Sequence, residues 1–315
     1  MRSKKLIIVL YYFALSVIYS SAFAQPSQIS TGLTWLNSAQ TATGYWPGVE
    51  TNDYYSTSAA LDAAYVLEPS SSAYTTAFQW MSSQTISPTD YLSRRIIALK
   101  RAGMDITSEL ESLLLYRNLS GSWGATEGFD GSVLDIIDTT LALQALKAAN
   151  YADYAVLFQA INYLATNQNT DGGWGLASGS SSNVYMTATV LKALSLYNNV
   201  TFNVQSSIDK ASVYLLTKQN SDGGFGSSPS NVYETALSIM SLIESGQGSV
   251  QAIQRGMQYL TATQAADGSW NQDPYSTALA LQALAAARPN LTVLSITLSK
   301  PMPQEGEETT ITATI

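Results

Sequence analysis

A Gln followed six residues later by an aromatic recurs along the chain, at Gln40 and Trp46, Gln168 and Trp174, Gln219 and Phe225, and Gln264 and Trp270. An aromatic-leucine pair stands just ahead of each, as Trp35-Leu36, Tyr163-Leu164, Tyr214-Leu215 and Tyr259-Leu260. A weaker copy has Arg117 in the Gln place before Trp123, and the weakest, Trp80-Met81 to Gln84, has no aromatic after it. Six copies between positions 40 and 264 give a mean spacing of about 45 residues, the length of a helical-hairpin repeat. A unit this short cannot bury its apolar face alone, so each copy has to stack on its neighbours.

The two helices of a hairpin differ in kind. Asp138 to Ala149 and Ser276 to Ala287 are apolar almost all round, which requires burial almost all round. The helix ahead of each Gln carries a single stripe, in the last copy Val250, Ile253, Met257 and Leu260, with Gln251, Gln254, Arg255 and Gln258 elsewhere on its surface. One type is therefore inner and the other outer. Six of each predict an all-α fold: a closed, two-layered α/α toroid of six hairpins, followed by a short C-terminal β segment. The glycines between the helices, such as Gly172-Gly173, let the chain end one helix and turn. Asn167, Asn169 and Asp171 also begin like a calcium loop, but its twelfth position is Ser178 rather than Glu and the next copy begins with Lys218. The turn reading is preferred and no metal site is assigned.

The outer-helix Gln followed by Gly-x-Trp resembles the QW motif of squalene-hopene cyclases and related terpenoid cyclases, whose toroid is shared with protein prenyltransferase β subunits. The resemblance covers roughly residues 28–288. It implies that Gln168, Trp174, Gln219, Gln264 and Trp270 are structural staples between neighbouring hairpins.

The ends of the chain read differently. Arg2, Lys4 and Lys5 precede an apolar run from Leu6 to Ile18, and Ala22-Phe23-Ala24 is a cleavage signal, so residues 1–24 are expected to be a signal peptide removed before Gln25. The expected location is secreted, periplasmic or at the cell surface, with no transmembrane segment left after cleavage. Loss of the signal takes the formal net charge from −8 to −11, which argues against a nucleic-acid partner. The toroid then occupies residues 25–288. Residues 289–315 alternate like strands over Leu291 to Ser299 and again over Thr309 to Ile315, as in the opening of an immunoglobulin-like, CARDB-type module that is incomplete here.

The chain has neither Cys nor His, so thiolate or imidazole zinc sites and Ser-His-Asp or Cys-His nucleophiles are ruled out, and no cofactor is expected. Protein prenyltransferase activity, whose zinc the resemblance assigns to Asp, Cys and His, is rejected on the same ground. Class II cyclases carry an Asp-x-Asp-Asp motif ahead of an inner helix. The matching stretch is Asp135-Ile136-Ile137-Asp138, with Ile137 where the resemblance implies the proton donor. Asp135, Asp138 and Glu234 are weak catalytic candidates; for the Asp pair, capping a helix start is the competing reading. Two residues ahead of a repeated Thr or Ser stand Tyr55, Tyr91, Tyr185, Tyr233 and Tyr275, with Ile137 breaking the series. In a closed ring these would meet at one mouth of the cavity and, with Asp90, Asp135, Asp138 and Glu234 nearby, form a ligand-binding funnel that is aromatic and acidic; packing between hairpins is the alternative. The expectation is a non-catalytic ligand-binding or scaffold module, leaning away from an enzyme. Its partner would be a small apolar or glycan ligand or another protein. A terpenoid cyclase-like enzyme acting on an apolar isoprenoid stands second, and a carbohydrate-active toroid third.

Overall fold

The computed structural model describes residues 26–86, 88–124, 134–199, 201–287, 295–298 and 311–314. The signal-peptide stretch lies outside them. The chain divides into two units, residues 24–287 and a second made of residues 1–23 with 288–315.

Twelve helices make up the described part of the larger unit. The outer helices are α1 (Pro26–Ser38), α3 (Ser72–Ser83), α5 (Thr107–Leu115), α7 (Tyr154–Thr166), α9 (Gln205–Thr217) and α11 (Val250–Thr263). The inner ones are α2 (Asp53–Leu67), α4 (Thr89–Arg101), α6 (Asp135–Ala148), α8 (Val184–Ser195), α10 (Val232–Glu244) and α12 (Pro274–Ala286). Asx side chains start four of the inner helices: Asn52, Asn183, Asn231 and Asp273 accept the backbone N–H three residues on. Burial separates the two layers as expected. Residues 136 to 143 of α6 and 274 to 281 of α12 are buried without interruption, whereas α11 buries only Ala252, Gly256, Met257 and Leu260. Val250, read as part of the α11 stripe, is instead 70% exposed, because it sits at the first position of the helix before that face meets the core.

The repeated Gln is a staple in physical detail. Gln40, Gln168, Gln219 and Gln264 each donate from Nε2 to a carbonyl in their own loop: Gly44, Gly172, Gly223 and Gly268. The same amide donates to a carbonyl at the start of the next outer helix: Ala73, Ser207, Ala252 and Gln28. Those four loop glycines have positive φ and press on the neighbouring helix so closely that a Cβ would fall 2.4–2.5 Å from a backbone carbonyl oxygen.

The aromatic holds the hairpin from inside. Trp46, Trp123, Trp174 and Trp270 are fully buried, and each indole donates to the carbonyl ten residues earlier: Leu36, Leu113, Leu164 and Leu260. Their backbone N–H groups, with that of Phe225, donate to Thr57, Thr139, Thr187, Thr277 and Thr235 respectively. The repeated Thr of the inner-helix start is thus the partner of the repeated aromatic.

The last staple closes the ring. Gln264 bonds to α1, α12 packs against α2, and Gln282 Nε2 donates to Ala59 O at 3.0 Å. The body is a closed α/α toroid.

Where calcium was the alternative, Asp171 accepts from Gly173 N and Ser182 Oγ, and Asp222 from Gly224 N and Ser230 Oγ. These carboxylates tie their own loops. In the smaller unit, β1 (Ser295–Leu298) and β2 (Ile311–Thr314) pair antiparallel, with Ser295 opposite Thr314.

Candidate functional site

Ring closure brings the starts of the inner helices to one end. There the tyrosines form a collar of two contact groups. Tyr91 meets Tyr55 edge-on with ring centroids 5.7 Å apart, Tyr185 meets Tyr233 at 6.3 Å, and Tyr233 meets Tyr275 at 6.2 Å. Tyr185 and Tyr275 thus flank Tyr233 on either side. Arg94, one turn into α4, lies over the Tyr55 ring at 4.5 Å and acts electrostatically on Tyr185 and Tyr275 as well. Burial pushes the phenols of Tyr55 and Tyr275 above their ordinary range, so both stay neutral hydrogen-bond donors at physiological pH. The sixth place is held by Ile137, buried and apolar.

One carboxylate joins this collar. Tyr55 Oη donates to Asp90 Oδ2, and Tyr91 N donates to Asp90 Oδ1 at 2.7 Å. Asp90 belongs to the second hairpin, the copy without a Gln-aromatic staple. Gln84 bonds only to its own helix end and to Ser83. Arg95 takes over the junction, donating to Gln84 O and pairing with Glu109 in the first turn of α5 at 3.3 Å. Ser93 holds the place of the repeated Thr, and with no aromatic to receive, its hydroxyl is buried without a partner. Arg94 Nε and Arg95 Nε are buried and unpaired too. Three consecutive residues of α4 therefore carry unsatisfied polar atoms, among seven such atoms in the described residues. Native interiors leave few polar groups unpaired, and clusters of them mark places where another demand overrides packing.

The other acids lie elsewhere. Asp135 is the first residue of α6, but its side chain makes no cap there. It accepts instead from Tyr163 Oη and from Ser178 N at 2.9 Å, tying the third hairpin to the fourth. Asp138 is 3% exposed in the first turn of the same helix. Glu234 accepts from Asn231 Nδ2 at 2.6 Å and lines a cavity of about 300 Å³ with Tyr214, Lys218 and Gly226, between the fourth and fifth hairpins. The geometry thus brings the five tyrosines together but distributes Asp135 and Glu234 to separate hairpin junctions. A second hollow, about 450 Å³, lies where the staple is missing, lined by Tyr54, Trp80, Gln84, Ile86 and Tyr91.

Burial raises the Glu234 pKa above the ordinary Glu value, outweighing the hydrogen bonds from Asn231 and the Tyr185 backbone. A carboxyl raised by folding lends stability that is full below its unfolded pKa of ~4 and is lost as pH rises through the folded value. Glu234→Gln should therefore melt above the wild type at pH 7, and the difference should shrink toward pH 4. Thermal denaturation across that range checks this, and parallel curves would contradict it.

Comparison with known proteins places the chain beside terpenoid cyclases. Residues 180–282 match the squalene-hopene cyclase C-terminal domain. Drimenyl diphosphate synthase of Streptomyces showdoensis is 32% identical over 196 residues, 57% of this chain and 36% of that protein. Squalene--hopene cyclase of Bradyrhizobium diazoefficiens is 30% identical over 130 residues, 37% of this chain and 19% of that protein. The chain thus spans between about a fifth and a little over a third of the length of the curated relatives it matches. Among solved structures, the type II terpene cyclase MstE from Scytonema superposes with a TM-score of 0.67 at 15% identity, over 84% of this chain and 99% of that one, a likeness of fold. MstE has also been solved, in a variant form, with its substrate geranylgeranyl dihydroxybenzoate.

These relatives overturn the expectation of a non-catalytic binding or scaffold module, and with it the lean away from an enzyme. An Ile at position 137 alters one position of one motif, and neither an export signal nor a strand-like tail bears on catalysis. Similarity to a named synthase extends over 57% of the chain.

Proposed function

We propose that the toroid is the reaction vessel of a terpenoid cyclase-like enzyme that folds and closes an apolar isoprenoid chain. The observation that carries this reading is the collar, in which tyrosine faces converge beside a carboxyl that is hydrogen-bonded to one of them. Acid-initiated cyclisation needs a proton donor at one end of the chain and π-faces along the path of the cation, which ring quadrupoles attract. The proposed acid is Asp90. Its O–H bond breaks as a C–H bond forms on the terminal alkene, leaving a tertiary cation and the Asp90 carboxylate. Neighbouring double bonds attack in turn, the last cation loses a proton to water, and the Asp90 carboxylate takes its proton back from solvent. Tyr55 Oη and Tyr91 N–H stabilise the carboxylate left behind. Ile137 then lines the path as an apolar wall.

The test is incubation of the purified protein with farnesyl diphosphate, geranylgeranyl diphosphate and squalene, with extracts analysed by gas chromatography and mass spectrometry after phosphatase treatment. A cyclic isomer of at least one substrate is expected. Recovery of all three unchanged, beside an active control cyclase, would count against the reading.

We further propose that the protein is exported after cleavage before Gln25 and that residues 289–315 begin a CARDB-like module. The charge and small-residue pattern of the first 24 residues and the alternating tail support this. Among the described residues, no helix is long and apolar enough to cross a membrane.

A further inference from the structure

We propose that the hollow between the first two hairpins binds a quaternary ammonium group, the trimethylammonium head of a choline-like ligand. This hollow, about 450 Å³, is lined by the rings of Tyr54, Trp80 and Tyr91 and by Asp53 and Gln84. It is open because the second hairpin departs from the repeat. In the fourth and sixth hairpins the tyrosine ahead of the buried leucine ties the junction to the hairpin before it, Tyr163 donating to Asp135 and Tyr259 to Ser230 O. Trp80 holds that place in the second hairpin and has no hydroxyl to give, and Gln84 turns its amide N–H groups back onto its own helix end.

The aromatic walls are fixed in advance. Tyr54 and Tyr91 stack with centroids 4.4 Å apart and planes 10° from parallel. Tyr54 Oη donates to Tyr91 O at 3.1 Å, and Tyr91 Oη accepts from Asn52 Nδ2 at 2.8 Å. Trp80 lies 6.1 Å from Tyr54 with its plane tilted by 46°, so the rings make a corner and not a slot. A flat sugar or aromatic ring needs parallel walls, whereas a rounded trimethylammonium head meets both sides of a corner. Walls held in place before binding cost less to order when the ligand arrives.

Charge selects the same occupant. Among the described residues that line the hollow, Asp53 alone carries a formal charge. One of its oxygens accepts from Gly48 N at 2.8 Å, and among the described residues Asp53 belongs to neither ion pair. The two arginines that act on Tyr54 are engaged elsewhere, Arg95 with Glu109 and Arg94 over the Tyr55 ring. Ring quadrupoles attract a cation, and a quaternary one asks no hydrogen bond of them, while the Asp53 carboxylate disfavours an anion. The site is independent of what the ring itself turns over.

The experiment is calorimetric titration of the full chain with choline and with its uncharged isostere, 3,3-dimethylbutan-1-ol. Wild type should bind choline about tenfold more tightly than the alcohol. Asp53→Asn keeps an acceptor for Gly48 N and should remove most of that preference. Trp80→Leu should weaken choline by about tenfold, with melting curves showing that both variants are folded. Tyr233→Leu, in the collar but not in the hollow, should leave choline affinity unchanged. Sedimentation with phosphatidylcholine vesicles then assigns the source of the group, a lipid head if the protein pellets with them and a free solute if it stays in solution. Absence of choline binding, or equal affinity for choline and the alcohol, would overturn the site. Choline binding that Tyr233→Leu abolishes and the two hollow variants leave intact would overturn it as well, by moving the cation to the collar.

Discussion

Asp90→Asn should reduce turnover by a factor of about 10² to 10⁴ while leaving the fold intact, the range expected when a positioned general acid is removed. Asparagine has the volume of aspartate, and its carbonyl oxygen can still accept from Tyr55 or from the Tyr91 backbone, but it has no proton to give. Cyclised product from farnesyl or geranylgeranyl diphosphate, quantified against time, checks the rate, and a melting curve checks the fold. Tyr55→Phe should cost less, about tenfold, because it removes only one bond to the carboxylate and keeps the aromatic face. An Asp90→Asn enzyme that retains more than a tenth of the activity would place the acid elsewhere. Asp138, buried one position from Ile137, would then be the next residue to substitute.

Trp174→Ala should destabilise the protein by ~3–5 kcal/mol, since it empties a fully buried site at a hairpin junction. It also strips the Leu164 carbonyl of the indole donor at 2.8 Å. For a unit of this size the loss corresponds to a fall in melting temperature of roughly 10 °C. The fifth hairpin supplies the control, because Phe225 occupies the same place without an indole nitrogen and keeps its backbone bond to Thr235 at 2.8 Å. Trp174→Phe should therefore cost less than Trp174→Ala, about 1–3 kcal/mol, from the lost hydrogen bond and the smaller cavity. Equal costs for Ala and Phe would mean that the indole N–H, and not the packed volume, holds the junction.

The contrast between these two residues shows what a sequence of this kind makes legible. Trp174 and Gln168 repeat, and so do their contacts: the same indole-to-carbonyl bond recurs in four hairpins and the same bifurcated amide in four. A periodic pattern needs only one physical explanation, so fold, layering and closure could all be expected from it. The site depends on departures from the pattern. The repeat register puts Asp90 at the same mouth as Tyr55, but the bond between them, across 35 residues, is visible only in the structure. Asp135 and Asp138 sit where the family motif does. The bonds from Tyr163 and Ser178 make Asp135 part of a junction instead.

A signal was nevertheless present in the second hairpin. That copy has lost its aromatic after Gln84, and its inner helix carries Asp90, Arg94 and Arg95 where α6, α8 and α12 carry mainly Ala, Leu and Thr. Charged residues in a layer that must be buried cost stability unless something answers them. The copy that fits the repeat worst is where chemistry should be sought, and the unpaired atoms of Ser93, Arg94 and Arg95 give that departure its physical content.

The most direct test of an acid-initiated vessel is turnover in deuterium oxide. A carboxyl that exchanges its proton with solvent and adds it to a double bond must leave one deuterium on carbon. The account predicts a cyclic product one mass unit heavier than that formed in water, with the head group still attached before phosphatase treatment. Unlabelled product, or product that has released its diphosphate during turnover, would contradict it and assign the ring a different chemistry.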